Sequence, residues 1–260
     1  MIKTIIALCS TAAMLANAYR TPKLPKYDTE AWKKLPGVSE VIRDAGKDDI
    51  YAKFLMALAA KNAGNPSLME DLLRDQRIYD VLQDDAKMFV VYQKYAEKDF
   101  YLALDMLAAK YYQMQMIDTS MKLWKKAADQ GCRISQYNLG LLLLNQNKNK
   151  KMILSETLKL WEASAAQGYL PALKDIGLMY LKGDFNGKPD YAKGIPYLEK
   201  AANLGHIQAM YVLGDIYEKG LNGKVDKDLA IKYYKAAAIQ HPDITKLRNT
   251  EMKKVNTESK

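Results

Sequence analysis

The 260-residue sequence predicts an all-α fold in which antiparallel helix pairs stack one on another. Composition is the first ground: 32 Leu and 31 Ala stand against 8 Val and 4 Phe, a stock of straight-chain and small helix formers that argues against an all-β fold. A spacing of 37 residues that recurs with the same residue types is the second. The third is the punctuation between apolar runs, where Gly, Asn-Gly and Asp fall at turn and cap positions. With 49% hydrophobic residues the chain can bury a sizeable core, so disorder is not its description.

Residues 1–18 read as a cleaved export signal: Lys3 gives a positive start, Ile5 to Leu15 a short apolar run, and Ala16-Asn17-Ala18 the small residues that a signal peptidase reads. Cleavage is expected before Tyr19, which would place the mature chain in the periplasm. The run is shorter than the roughly 20 apolar residues of a spanning helix. Lipid attachment at Cys9 is not expected, because Leu8 stands where a small residue is wanted and the apolar run continues past the cysteine. Residues 19–40, with Pro22, Pro25 and Pro36, read as an extended arm. Residues 41–126 read as degenerate helical repeats, 127–241 as three clear repeats, and 242–260 as a helical tail. No later run is long enough to span a bilayer, and the densest, Leu139 to Leu144, contains Gly140.

The repeats are anchored on Gly131, Gly168 and Gly205. Beyond each follows an apolar-Gly pair: Leu139-Gly140, Ile176-Gly177 and Leu213-Gly214. Small pairs precede the anchoring glycines, and Trp124, Trp161, Leu198 and Tyr234 fill the slot ahead of those pairs. Each unit reads as two antiparallel helices, the first with an apolar stripe at offsets 4, 8 and 12 from its glycine. Pro171 falls in a first turn, where it is tolerated. Gly183 and Gly220 suit helix C-termini, and Asp190 and Asp226 suit N-caps of the returning helices. Gly140, Gly177 and Gly214 would let the two helices of a pair approach closely, at a cost of roughly 1 kcal/mol each in helix propensity. Degenerate copies can be laid on Asp99 and, more weakly, near Asp48.

The run Ala-Ala-x-x-Gly-x-x-x-Ala-x-x-x-Leu-Gly-x-x-Tyr-x-x-Gly, followed by Asp and a helix ending Tyr-x-x-Ala-Ala, resembles the Sel-one-like repeat. The resemblance spans Lys126 to His241 and implies a right-handed, tetratricopeptide-like α-solenoid that binds other proteins. Two departures stand out: the first unit has Gln146 where the closing Gly should be, followed by a basic loop from Lys148 to Lys151, and the fourth has His241 in the Gly slot. The resemblance also implies a narrower alternative, an immunity protein that neutralises a secreted lipase-type toxin. Some secreted relatives carry a disulfide in each repeat and are linked to β-lactam hydrolysis; this chain lacks those cysteines, so that activity is not carried over.

No constellation for chemistry emerges, and an enzyme is not expected. Without Cys9 the mature chain keeps Cys132 alone, which excludes an intramolecular disulfide and a Cys-rich metal site. His206 and His241 are explained by their places in the repeat. Asp184 to Asp190 has Lys188 where a calcium loop needs an oxygen ligand. No metal or cofactor is expected. The net charge of +9 is spread over mixed helix faces rather than a basic stripe, so nucleic acid is not the expected partner. Six acids lie between Ser67 and Ala86, whereas nine Lys or Arg against five acids follow from Lys224 onward, which makes the sequence polar end to end.

The expected partner is a protein. Offsets 3, 6, 10 and 13 of each first helix fall opposite the packing stripe, on the inner curve of a solenoid. They give Ile134, Tyr137, Leu141 and Leu144, then Pro171, Lys174, Leu178 and Leu181, then Gln208, Tyr211, Asp215 and Glu218. The copy from Asp99 adds Leu102, Asp105, Ala109 and Tyr112. Tyr112, Tyr137 and Tyr211 are the expected anchors, supported by Leu141, Lys174, Leu178 and Asp215.

Overall fold

The computed structural model describes residues 31–62, 74–75, 77–78, 84–147, 151–185 and 187–240. The export signal, most of the expected arm, the tail, His241 and Lys148 to Lys150 lie outside the described residues. After a 3-10 turn at Ala31–Lys34 the helices are α1 (Val38–Gly46), α2 (Ile50–Asn62), α3 (Asp85–Ala96), α4 (Tyr101–Gln113), α5 (Ile117–Asp129), α6 (Arg133–Asn147), α7 (Lys151–Ala166), α8 (Leu170–Lys182), α9 (Tyr191–Asn203), α10 (Ile207–Lys219) and α11 (Lys227–Gln240). The first helix thus begins at Val38, inside the stretch expected to be an extended arm, because Val38 and Val41 are buried on its core side. No strand occurs among the described residues, and the fold is an all-α solenoid of helix pairs. The chain divides into two compact units, residues 1–167 and 168–260.

In the first unit α3 packs on α4, α4 on α5, α5 on α6 and α6 on α7. One core gathers Val41, Phe54, Leu55, Tyr95, Phe100 and Leu104. A second gathers Ala108, Trp124, Leu139 and Leu142. The two aspartates on which degenerate repeats were laid occupy the turns that glycines occupy elsewhere: Asp48 and Asp99 have φ of 66° and 61°, beside 85°, 72° and 85° at Gly131, Gly168 and Gly205. The same left-handed turn conformation therefore forms here without a glycine.

In the second unit α8 pairs with α9, α9 packs on α10, and α10 pairs with α11. Its two inter-helix loops are built alike. Gly183 and Gly220 end α8 and α10 in the left-handed region. The Gly187 and Gly223 amides donate back to the Gly183 and Gly220 carbonyls at 2.7 and 2.9 Å. Asp190 and Asp226 then cap α9 and α11, accepting from the Lys193 and Leu229 amides at 3.0 and 2.9 Å. The pairing follows the expected register. A Cβ on Gly177 would stand 2.7 Å from Leu198 Cγ, one on Gly214 would meet the Tyr234 ring, and in the first unit one on Gly140 would meet Trp161. The small residue of the first helix and the large slot residue of the second are thus one packing contact, repeated.

Candidate partner-binding faces

The expected strip divides differently in the two units. Tyr137 does not lie on an exposed face: it is 2% exposed, its ring stacks on Trp161 with centroids 5.4 Å apart, and its carbonyl accepts the Trp161 indole N–H at 3.0 Å. Leu102 and Asp105 are likewise buried, at 2% and 4%. The reason is that large side chains of neighbouring helices reach past the three-position stripe, Trp161 over Tyr137 and Trp124 to Asp105, and widen the buried arc. Leu141 and Leu144 remain half-buried on α6. Tyr112 is half-buried at the end of α4, its ring 5.5 Å from that of Trp124. Beyond it the turn into α5 carries Met114 and Met116, exposed by 59% and 44%. The offset rule missed these two, because it followed helix faces and not the turns between them.

Asp105 is the buried end of a polar cluster. The Trp124 indole and the Ser135 hydroxyl donate to its Oδ1 at 3.1 and 2.7 Å. Burial pushes its carboxyl up to about 6, against the opposing pull of Ser135, Trp124 and Asn138. Burial also pushes the neighbouring Cys132 thiol up to about 12, so it is no thiolate nucleophile.

On the second unit the predicted positions stay at the surface. Lys174 pairs with its neighbour Asp175 at 2.7 Å, and Leu178 is half-buried one turn on. Tyr211 lies with its ring 6.0 Å from Tyr234. The Tyr234 hydroxyl lies 2.6 Å from Asp215 Oδ1 and 2.8 Å from Glu218 Oε2, and burial together with these carboxylates pushes the phenol well up. Lys219 Nζ stands 3.8 Å from Asp215. α10 thus presents tyrosine rings rimmed by carboxylates. A second such grouping escaped the sequence reading: Tyr217 and Tyr233 stack at 5.9 Å and donate to Glu199 Oε1 at 3.2 and 3.5 Å. The adjacent pair Tyr233-Tyr234 was its signal, since one α11 tyrosine then serves each grouping. His206 is a cap, its Nδ1 accepting the Ala209 amide at 3.2 Å. Among the described residues no three His, Cys, Asp or Glu side chains gather as metal ligands, and no helix is long and apolar enough to cross a membrane.

The Sel1 repeat model matches residues 117–132, 170–206 and 207–241. The last two matches are the pairs α8–α9 and α10–α11, and the first covers α5. No curated protein matches the sequence. Among solved structures, a Sel1 repeat protein from Oxalobacter formigenes is 21% identical, with 82% of this chain and 80% of that one covered at a TM-score of 0.56. An immunity protein from Pseudomonas aeruginosa is 22% identical over 58% of this chain and 57% of that one, with a TM-score of 0.39. A Sel1 repeat protein from Klebsiella pneumoniae is 19% identical over 86% of this chain and 100% of that one, with a TM-score of 0.42. The first of these shares its fold with this chain. With the matches falling on the helix pairs whose glycine contacts and caps are described above, the chain carries Sel1 repeats within an all-α solenoid fold.

Proposed function

We propose that this chain is an exported, non-enzymatic scaffold that captures one protein partner in the periplasm, as an adaptor or inhibitor. Capture of a partner is what Sel1 repeats are suited to, and the observation that carries the reading here is the α10 face. Tyr211 and Tyr234 offer ring surface there while Asp215 and Glu218 line the edge, a composition suited to anchoring a protein side chain. Tyr112 with Met114 and Met116 offers a second, more apolar contact on the first unit. Export rests on the N-terminal sequence, from Lys3 through Ala18.

The test is photo-cross-linking in intact cells, with a photoreactive residue at Gln208, beside the Tyr211 face, and another at Lys232 as a control on α11. A discrete adduct with one protein, formed from Gln208 and lost in Tyr211→Ala, supports the reading. Absence of any adduct from Gln208, and from a photoreactive residue at Gln113 beside Tyr112 on the first unit, removes it. Intact mass of the periplasmic fraction should begin at Tyr19; a chain retaining residues 1–18 in the cytoplasm would overturn export.

A further inference from the structure

We propose that Asp105 is a proton-linked lock on the junction of α4, α5 and α6: the neutral carboxyl is held there more firmly than the ionised one, so ionisation loosens the junction. The carboxyl is 4% exposed and joins three helices, its own α4, α5 through Trp124 and α6 through Ser135. Its partners are suited to both of its states. The Trp124 indole only donates, whereas the Ser135 hydroxyl and the Asn138 amide can donate to a carboxylate or accept from a carboxylic acid. Partners are therefore on hand for either state, and the cost of burying a charge sets how firmly each is held. A buried carboxylate needs a cation beside it.

Among the described residues no cation near the junction is given over to Asp105. On α4 itself Lys110 reaches Asp85 of α3 at 3.1 Å. From α3, Lys94 is engaged by Asp44 and Asp49 at 3.4 and 3.6 Å. On α2, Lys53 is held by Asp48 and Asp75. Of the α5 lysines, Lys126 pairs with Asp99, and Lys122 and Lys125 are exposed. From α6, the Arg133 guanidinium donates to the Gln167 carbonyl at 3.1 Å. The titratable group that faces Asp105 is the Cys132 thiol, itself neutral. Burial accordingly holds the carboxyl up near 6, above the 3.8 of an open aspartate. The sign follows: between those values the folded unit binds the extra proton, so mild acid tightens the junction and pH above about 6 loosens it. The switch reaches the surface, because the Trp124 ring that donates to Asp105 also packs on Tyr112.

The experiment is nuclear magnetic resonance of the three indole N–H groups in the full chain, titrated from pH 4.5 to 8.5 and assigned with Trp→Phe variants. The Trp124 signal should move through one step with its midpoint between about 5 and 7, whereas the Trp161 signal, bonded to a backbone carbonyl, stays still. Asp105→Asn keeps the donors satisfied and removes the proton, so it should abolish the step. Amide protection at Ser135 to Leu139, corrected for intrinsic exchange, should fall by up to about tenfold from pH 5 to pH 8.5 in the native protein and not in the variant. A Trp124 signal that does not titrate, or one that titrates unchanged in Asp105→Asn, overturns the proposal. So does protection that is equal at the two pH values.

Discussion

His206 caps α10 with an imidazole nitrogen, and that choice makes the cap sensitive to acid. Nδ1 can accept the Ala209 amide only while it is unprotonated. Burial first, then the Lys174 ammonium, hold the ring down at about 4, with Asp175 pulling the other way. In the unfolded chain the ring takes its proton near 6.5, so between those values the unfolded state binds more protons. The cap's contribution is full above about 6.5 and is lost as pH falls toward 4. His206→Asn keeps a cap that does not titrate. Urea unfolding of both proteins should show the native chain losing about 1–2 kcal/mol relative to the variant over that window, the ordinary worth of a cap. Packing sets the other residue-scale expectation. Gly177 meets Leu198 across the α8–α9 contact and lies near the Gly194 carbonyl, at 3.2 Å from where its Cβ would stand. Gly177→Leu should cost about 1–3 kcal/mol in denaturant unfolding. An unchanged midpoint would mean that the two helices do not meet there. This contact was legible in the sequence because both partners recur at the repeat spacing. Asp105 was not legible, because its burial comes from Trp124 and Ser135 on other helices, which an offset counted along α4 does not report.

At the scale of the element, helix ends and turns carried most of the sequence signal. Asp190, Asp226, Gly183 and Gly220 all hold the positions expected of them, since a cap is a local device that needs no distant partner. Helix faces are set from outside, so Tyr137 could not be placed by its own neighbours in sequence. The degenerate half of the chain shows a middle case. Gln115, between α4 and α5, stands at φ 61°, a left-handed conformation that costs a side chain about 1 kcal/mol or more. It is exposed, so Gln115→Gly should raise stability by about 1 kcal/mol, read as a higher melting temperature with an unchanged helical spectrum. A lower melting temperature would show that the Gln115 side chain holds the turn. The pair α6–α7 keeps the packing of a glycine against the large slot residue, here Gly140 against Trp161, while falling outside the matched repeat residues, so the core of the pair is retained where its closing Gly is replaced by Gln146.

For the whole molecule the decisive question is which tyrosines face a partner, and the three expected anchors now separate by mechanism. Tyr137 belongs to the packing of α6 on α7, so Tyr137→Ala should cost about 3–5 kcal/mol of stability, as the loss of a buried aromatic does. Any loss of binding in that variant would follow from unfolding. Tyr211 and Tyr112 are both half-buried, their rings against Tyr234 and Trp124. Their truncation should be milder in stability, on the order of 1 kcal/mol, the worth of an aromatic pair. In partner binding the order inverts: a true anchor costs about 2 kcal/mol or more, roughly 30-fold in affinity. Asp215→Asn adds the electrostatic half of the test, since it keeps the Tyr234 hydrogen bond and removes one carboxylate from the rim. If the α10 face receives a cationic side chain, Asp215→Asn should weaken binding more at 50 mM than at 500 mM salt, because a half-exposed charge is screened as ionic strength rises. Equal losses at both salts would make the contact one of ring packing alone. Full affinity in Tyr112→Ala, Tyr211→Ala and Asp215→Asn, with each variant still folded, would remove both faces as the site.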